Sequence, residues 1–259
     1  MKKIVTLVGG LVIVAASAQA ATAATAVGLV GDNTLVLIEG TKPSVGKSMK
    51  VDGAGRLLGI DVRPSDKKLY GVAEDGTVVT IDLATGKAKT VSKLDKMINA
   101  GTGAIVDFNP AADKLRFMGT DGTNLRADVD TGKVTTDGSL AFEKEDMHAG
   151  EKPNIVAAAY INSFGKPEKT AMYDVDATIV ALIQQTKPND GTLKAIGKLG
   201  IGAAKTYAFD VHTTAEGANT AWLVADNALY SVALDTGKAT KLGDVAKAGG
   251  DIRDIAVLP

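Results

Sequence analysis

The chain has 259 residues, of which 45% are hydrophobic and 23% charged, and its 29 Lys and Arg residues nearly balance its 30 Asp and Glu residues. This apolar content suffices for a packed core and excludes wholesale disorder. The balanced charge argues against a general nucleic-acid binder, because such proteins need a basic excess to neutralise phosphates. The lack of cysteine excludes a disulfide framework, a thiolate metal site and a cysteine nucleophile.

The first twenty residues have the pattern of a secretory signal peptide. Lys2 and Lys3 provide the positive start, an apolar run extends from Ile4 to Ala16, and Ala18-Gln19-Ala20 offers the small residues that a signal peptidase reads. The run is shorter than the about 20 apolar residues that a membrane span needs, and no later segment resembles a span. We therefore predict a signal peptide over residues 1–20, one mature domain over 21–259, and a periplasmic or extracellular location.

Past this leader, short apolar segments alternate with turn residues, as in an all-β chain. We predict three strands near the mature N-terminus and four in the next unit. These strands are Ala26–Val30, Thr34–Ile38 and Lys47–Val51, then Leu57–Val62, Lys68–Ala73, Thr77–Asp82 and Lys87–Val91. Segments equivalent to Leu57–Val62 then recur at intervals of 47–51 residues, and they are Ala104–Phe108, Ile155–Ile161, Thr206–Val211 and Asp254–Val257.

Turn residues mark the same places in several units. Asp75-Gly76 and Asp226-Asn227 precede predicted third strands, and such dipeptides tolerate the positive φ angles of tight hairpins. The turns that follow third strands share one pattern, seen in Thr85-Gly86-Lys87, Thr131-Gly132-Lys133 and Thr236-Gly237-Lys238. Self-similarity at this period indicates a repeat architecture whose units bury their faces only against neighbours.

The two ends of the chain lack complementary parts of the repeat. The last opening segment, Asp254–Val257, has no successors, whereas the first unit has three strands and no opener. We predict a five-bladed β-propeller of four-stranded blades, closed by pairing of Asp254–Val257 with Ala26–Val30. A β-sandwich or a solenoid would not explain the matched ends. Two segments fall outside the repeat: residues 92–101, a short helix or a loop, and 142–153, a charged surface excursion.

Four motifs in the chain occur together in one known family. They are Asp107-Phe108-Asn109-Pro110, Ala158–Ser163, Lys187–Leu193 and Phe209-Asp210-Val211. In this order they resemble the DUF4394 family, and the resemblance extends from about Leu57 to Val257. The family has Pro-Pro-Asn where this chain has Lys187-Pro188-Asn189. The resemblance implies an exported bacterial protein with a repeated-strand fold, and the family name assigns no activity.

Acidic residues occupy one shared position in three opening strands. Asp61, Asp107 and Asp210 hold this position, and Ala159 and Ala256 replace them in the other two units. Because opening strands line the channel of a propeller, the three acids could bind a divalent cation, hydrate the channel or hydrogen-bond adjacent blades. Two further pairs with the spacing of a shared strand face, Asp128/Asp130 and Asp174/Asp176, could share a calcium ion or serve as turn residues.

The third unit carries two arginines on strands that neighbouring blades should cover. Arg116 and Arg126 would be buried there and would need carboxylate partners, because an unpaired buried charge costs several kcal/mol. The candidate partners are Asp107, Asp113 and Asp174. The arginines either hold blades together or bind a small anion through their planar forks. The candidate ligand-binding set is Asp107, Asn109, Arg116, Asn124, Arg126 and Asn162.

Other candidate chemistry is sparse. The loop from Gly40 to Ser48 has five residues between its glycines, one more than a phosphate-binding loop requires. No Gly-x-Ser-x-Gly motif occurs. His212 follows a predicted opening strand and could have an acid–base role or make a single rim hydrogen bond, and His148 lies in the charged excursion.

These observations favour a non-catalytic binding or interaction module of the bacterial envelope. We expect a monomer that binds an unidentified envelope partner or a small anionic ligand and needs no cofactor. The alternative is a metal-assisted hydrolase or isomerase with its site at the channel mouth, built from the acidic positions. A third hypothesis is a structural component of an extracellular assembly. The sequence leaves open whether any reaction is catalysed.

Overall fold

The computed structural model describes residues 25–40 and 43–259, and these residues form an all-β ring of five sheets. No helix occurs among them. The predicted signal peptide lies outside the described residues. The ring confirms the predicted five-bladed β-propeller.

Each sheet is one blade, and blade 1 combines the two ends of the chain. Blade 1 contains β1 (Thr25–Val30), β2 (Thr34–Glu39), β3 (Val45–Lys50) and β21 (Ile252–Val257). Blade 2 contains β4 (Leu57–Val62), β5 (Leu69–Ala73), β6 (Thr77–Ile81) and β7 (Ala88–Lys93), and blade 3 contains β8 (Ala104–Asn109), β9 (Lys114–Gly119), β10 (Asn124–Ala127) and β11 (Val134–Thr136). Blade 4 contains β12 (Ala141–Phe142), β13 (Ile155–Tyr160), β14 (Met172–Asp176), β15 (Ala181–Lys187) and β16 (Thr192–Lys198), and blade 5 contains β17 (Tyr207–Thr213), β18 (Asn219–Ala225), β19 (Ala228–Val232) and β20 (Ala239–Asp244).

The ring closes by antiparallel pairing of β21 with β1, as predicted. Ala26 lies opposite Val257, and Leu29 lies opposite Asp254. Strands β21, β4, β8, β13 and β17 contact one another in this order around the channel, and we call them the inner strands. Their carboxyl ends meet at one end of the channel, here called the upper rim.

The core lies between blades. The described residues form five hydrophobic clusters, and each joins residues of two neighbouring blades. In the cluster between blades 1 and 2, for example, Leu29 and Leu35 pack with Leu57 and Ile60, and all four are fully buried. Because every blade completes its core with its neighbours, stability depends on an unbroken ring.

The repeated Thr-Gly-Lys turns also join blades. Gly86, Gly132 and Gly237 all have φ angles near +76°, as the sequence predicts. A Cβ atom on Gly132 would lie 2.0 Å from the carbonyl oxygen of Lys93, at the end of the outer strand of blade 2. Glycine is therefore needed there both for the backbone angle and for the close approach of the neighbouring blade.

Two local predictions need revision or completion. Blade 4 has five strands rather than four, because the two-residue strand β12 pairs in parallel with β16. The excursion of residues 142–153 thus starts inside a sheet before it reaches the surface, where Met147 is 84% exposed. Residues 94–101 form a loop and no helix.

Candidate functional site

Four aspartates lie on the inner strands around the channel. Asp61, Asp107 and Asp210 lie buried on β4, β8 and β17, and one carboxylate oxygen of each lies within 4.8 Å of the others. The shared position in the opening strands therefore brings them together. The fourth acid, Asp254 on β21, is half-buried, and the shared position did not predict it because it lies two residues before the equivalent residue, Ala256.

Each channel acid links its own blade to the next. Asp61 accepts a hydrogen bond from the backbone N–H of Phe108 at 2.6 Å, and Asp107 accepts one from Tyr160 at 2.8 Å. Asp210 accepts from Val257 at 2.5 Å, and Asp254 accepts from Ile60 at 2.7 Å. The hydrogen bonds to adjacent blades that the sequence suggested for Asp61, Asp107 and Asp210 are thus present, and Asp254 adds a fourth that the sequence did not suggest.

The junction between blades 4 and 5 uses different groups, because Ala159 replaces the acid. Asn162 donates its backbone N–H to Asn219 Oδ1 and accepts from Asn219 Nδ2, both at 2.9 Å. Ser163 donates its backbone N–H to the hydroxyl of Thr213. Asn162, which the sequence placed in the candidate ligand set, therefore lies in this rim junction, apart from Arg116 and its partners.

Burial dominates the electrostatics of the channel. It raises the pKa of Asp210 to about 6 and that of Asp254 to about 8. Burial and the negative charge of Asp210 raise the pKa of Asp61 well above its usual value, and burial and the charges of Asp61 and Asp210 do the same for Asp107. None of these four carboxylates forms a salt bridge among the described residues.

The channel mouth on the upper rim is small. A cavity of about 20 Å³ lies beside Asp61 and Asp210, and its lining includes Phe164 and His212. The ammonium of Lys67 lies 5.4 Å from the ring centre of Phe164. Burial lowers the pKa of His212. A cavity of this size has room for about one water molecule or ion and none for an organic substrate.

We expect the protein to lose stability as the pH rises. An acid whose pKa is higher in the folded than in the unfolded state stabilises the fold below the unfolded value, and this contribution disappears as the pH rises through the folded value. The cited values, about 6 for Asp210 and about 8 for Asp254, place the loss between about pH 4, near the pKa of an unfolded aspartate, and about pH 8. Thermal unfolding should show a decrease of at least about 5 °C over this range.

The Asp254→Asn variant tests the cause of this pH dependence, since an asparagine oxygen can still accept from Ile60 while the residue no longer titrates. Its melting temperature should change less than that of the wild type between pH 7 and 9. A wild-type melting temperature that is constant or rises from pH 5 to 9 would contradict the account.

Arg116 lies at the centre of the junction between blades 3 and 4. Its side chain is 1% exposed. It donates to Asp137 at 2.6 Å, to Asn124 at 2.9 Å, to Asn189 at 3.0 Å and to the hydroxyl of Tyr160 at 3.3 Å. The candidate partners Asp107, Asp113 and Asp174 were wrong, because Asp137, in the irregular segment after β11, is the carboxylate that pairs with this guanidinium.

Asp137 also binds the second arginine. Arg126 donates from Nε and Nη2 to the two oxygens of Asp137, at 3.1 and 3.0 Å. Asn124 completes the network by donating to the backbone oxygens of Gly138 and Pro188. Because four internal acceptors occupy Arg116, the network bridges two blades and leaves little of the guanidinium for an anion.

The two acidic pairs do not converge on a shared ion. Asp128 pairs with Lys114 at 2.5 Å, whereas Asp130 pairs with Arg63 at 2.8 Å. Arg63 also binds Asp113, the acid that the sequence offered to Arg116. Asp176 accepts backbone N–H groups from Asn154, Thr178 and Ile179 and is thereby a turn residue.

Asp174 lies fully buried beside this network without a hydrogen-bond donor. Neither of its oxygens has a partner among the described residues, and the same is true of Gln185 Oε1 on the adjoining strand. Burial raises the pKa of Asp174 well above its usual value, although Arg116 opposes the shift. The neutral form of Asp174 avoids the cost of a buried charge that no hydrogen-bond donor stabilises.

An open cleft lies above the network on the upper rim. Its volume is about 540 Å³, which is in the range of small-molecule sites. Its lining includes Asn109 from the candidate set and five residues that the sequence did not single out: Tyr160, Gln184, Gln185, Thr186 and Asn189. Tyr160 and Asn189 lie inside family motifs, so these motifs were the available signal for them.

The strand order and inner ring define the class: a five-bladed β-propeller with a polar cleft between blades 3 and 4. The family model for DUF4394, a domain of unknown function, matches residues 34–256. The chain belongs to this family. No curated protein matches the chain.

The chain is similar to several solved structures. A protein of unknown function from Bacteroides thetaiotaomicron has 16% identity and a TM-score of 0.53, with 92% of this chain and 65% of that chain covered. A protein of unknown function from Bacteroides caccae has 10% identity, a TM-score of 0.44 and coverage of 84% and 72%. An auxiliary nutrient binding protein from Bacteroides thetaiotaomicron has 11% identity, a TM-score of 0.47 and coverage of 90% and 59%. This chain thus spans less than two thirds of the first protein. Among the described residues, no helix is long and apolar enough to cross a membrane.

Proposed function

We propose that the protein is an exported, non-catalytic binding module whose ligand site is the cleft between blades 3 and 4. The observation that supports this proposal is an open cleft of about 540 Å³ above the hydrogen-bond network of the buried Arg116. Tyr160 and Asn189 belong to both the network and the cleft lining. The network holds these two side chains in place before a ligand binds, which reduces the entropic cost of binding.

The composition of the cleft favours binding over catalysis. Its described lining contains no histidine, cysteine or serine, so the usual nucleophile–base pairs are not available there. Burial raises the pKa of Tyr160, which makes its hydroxyl a weaker proton donor and a poor source of phenolate at neutral pH. The groups that remain are suited to hydrogen bonding.

A variant that fills the cleft tests this function. Ala171 lines the cleft and is half-buried, so Ala171→Trp should occupy the space without removing a hydrogen-bonding side chain. Immobilised wild type and variant would be exposed to the same envelope extract of a bacterium that produces the protein, and retained small molecules would be identified by mass spectrometry. We expect at least one compound, chemically unchanged, on the wild type alone. Equal retention by both proteins, or release of a converted product, would count against the proposal.

The channel acids support a second candidate, a bound divalent cation, because three carboxylate oxygens lie within 4.8 Å of one another. The small cavity beside them favours an ion without an organic substrate, so the hydrolase or isomerase alternative has less support than simple ion binding. Melting curves with calcium, manganese or zinc test whether an ion binds, since an ion that binds only the folded state raises the melting temperature. An unchanged melting temperature with all three ions would remove this candidate.

Export is part of the proposal and rests on the sequence of residues 1–20. Mass spectrometry of the protein recovered from the periplasm or culture medium should give a chain that begins at Ala21. A soluble chain that retains Met1 would contradict export.

A further inference from the structure

One connection on the upper rim is longer than its equivalents. Residues 161–171 join the inner strand of blade 4 to the second strand of that blade. The equivalent connections are residues 63–68 in blade 2, 110–113 in blade 3 and 214–218 in blade 5. The first part of the long loop reaches the channel mouth, where Phe164 lines the small cavity beside Asp61 and Asp210. The additional residues of blade 4 therefore cover a part of the channel that the other blades leave open.

A side chain from a different blade meets this loop at the channel mouth. The ammonium of Lys67, in the connection of blade 2, lies 5.4 Å from the ring centre of Phe164, which is the distance of a cation–π contact. Lys67 also lines the small cavity. Blades 2 and 4 are not neighbours in the ring, because blade 3 lies between them. The contact therefore spans part of the channel mouth and does not belong to a blade junction.

The base of the loop is held firmly and its tip is held weakly. Asn162 is bound by Asn219 of blade 5, and its side chain donates to the backbone oxygen of Lys169 at 3.0 Å, which closes the base. Among the described residues, the tip (residues 164–168) makes one hydrogen bond, from the N–H of Phe164 to the backbone oxygen of Asn162 within the same loop. The side chain of Phe164 is 39% exposed. A segment with so few contacts on a fixed base can open locally at a low cost in free energy.

Access to the channel acids from the upper rim passes this loop, because Phe164 and Lys67 line the cavity beside Asp61 and Asp210. The cavity of about 20 Å³ has room for about one water molecule or ion. We propose that Phe164 and Lys67 form a cap that controls the access of water and small ions to the channel acids. The cap opens when the loop tip moves away from Lys67. It acts on the channel and is independent of the cleft between blades 3 and 4.

Amide hydrogen exchange of the mature protein, measured by NMR at neutral pH, tests the cap. The N–H groups of Phe108 and Val257 donate to Asp61 and Asp210. Because amide exchange at this pH is catalysed by hydroxide, the exchange rates of these two groups report how easily water and a small ion enter the channel.

Phe164→Ala removes the ring from the channel mouth and should raise both exchange rates at least about fivefold. Lys67→Gly removes the ammonium, and glycine suits the φ angle of 60° at this position. It should raise both rates about two- to fivefold, the range that corresponds to loss of an exposed cation–π contact. Phe164→Tyr is the matched control, because it keeps the ring and its contact with Lys67, and it should exchange like the wild type.

The amide of Leu223 shows whether a variant opens the channel or destabilises the ring. Leu223 is fully buried on the middle strand β18, paired on both sides, and its amide exchanges only when blade 5 opens. Faster exchange of Phe108 and Val257 with an unchanged rate at Leu223 would support the cap. An equal increase at all three amides would make the loop a structural brace and overturn the proposal. Unchanged exchange of Phe108 and Val257 in Phe164→Ala, or an equal increase in Phe164→Tyr, would overturn it as well.

Discussion

Removal of residues 251–259 should unfold the whole ring. This deletion takes away β21, in which Ile252, Ile255, Ala256 and Val257 are all buried, and burial of one such large aliphatic side chain contributes about 1.5–3 kcal/mol. It also exposes the edge of β1 and eliminates the hydrogen bond between Asp254 and blade 2. The combined loss is comparable with the about 5–15 kcal/mol by which domains are stable.

Circular dichroism and thermal unfolding would measure this effect. The truncated chain should show no cooperative transition, whereas a control that lacks only Pro259, which lies beyond β21, should unfold close to the wild-type temperature. A truncated chain with an unchanged melting temperature would show that the terminal strand does not hold the ring together.

Replacement of Arg116 by methionine should destabilise the protein by about 3–5 kcal/mol, the range for breaking a buried ion pair. Methionine fills similar space but leaves Asn124, Asn189 and Tyr160 without the donor that joins them. Asp137→Asn should have a similar effect, because it leaves the buried guanidinium of Arg116 without its carboxylate. Denaturant unfolding would measure both changes.

Asp174→Asn is the matched control for Asp137→Asn. Both replace a carboxyl group in the same junction, but Asp174 has no hydrogen-bond donor to lose, and an asparagine there never carries the charge that burial disfavours. This control should be as stable as the wild type at pH 8 or more stable. A stable Arg116→Met protein that had lost a citrate-induced stabilisation would instead assign the arginine to an anion site.

The propeller could be predicted because its determinants are local and repeated. The turn glycines, the interval between opening strands and the complementary ends of the chain all follow from short stretches of sequence. Strand β12 could not be predicted, since two residues in a parallel pairing carry no periodicity of their own. The extra strand depends on how the loop after blade 3 reaches blade 4, which only the assembled ring determines.

The candidate site was predictable in part. Asp61, Asp107 and Asp210 share one register, and the ring brings register-equivalent positions together. Asp254 lies two residues before the equivalent position in its strand, yet it also accepts a backbone hydrogen bond from the adjacent blade. The partner of Arg116 was missed for a related reason, because Asp137 lies in the irregular segment after β11, where no strand alternation indicates which way a side chain points.

The cleft itself could not be deduced from the sequence. Its lining comes from β8, β13, β15 and the segment before β14, and these segments meet only after two blades pack together. Nearly all its polar residues are uncharged, and scattered amides and hydroxyls do not differ in sequence from ordinary surface residues. Long-range packing therefore creates the site.

The crystal structure of the mature protein soaked with the compound that it retains from the envelope extract tests the central claim most directly. We expect electron density for the compound in the cleft beside Asn189, with Arg116 and Asp137 unmoved beneath it. Density for the compound at the channel mouth beside Asp61 and Asp210, or a cleft that stays free while the compound binds elsewhere on the ring, would contradict the proposed site.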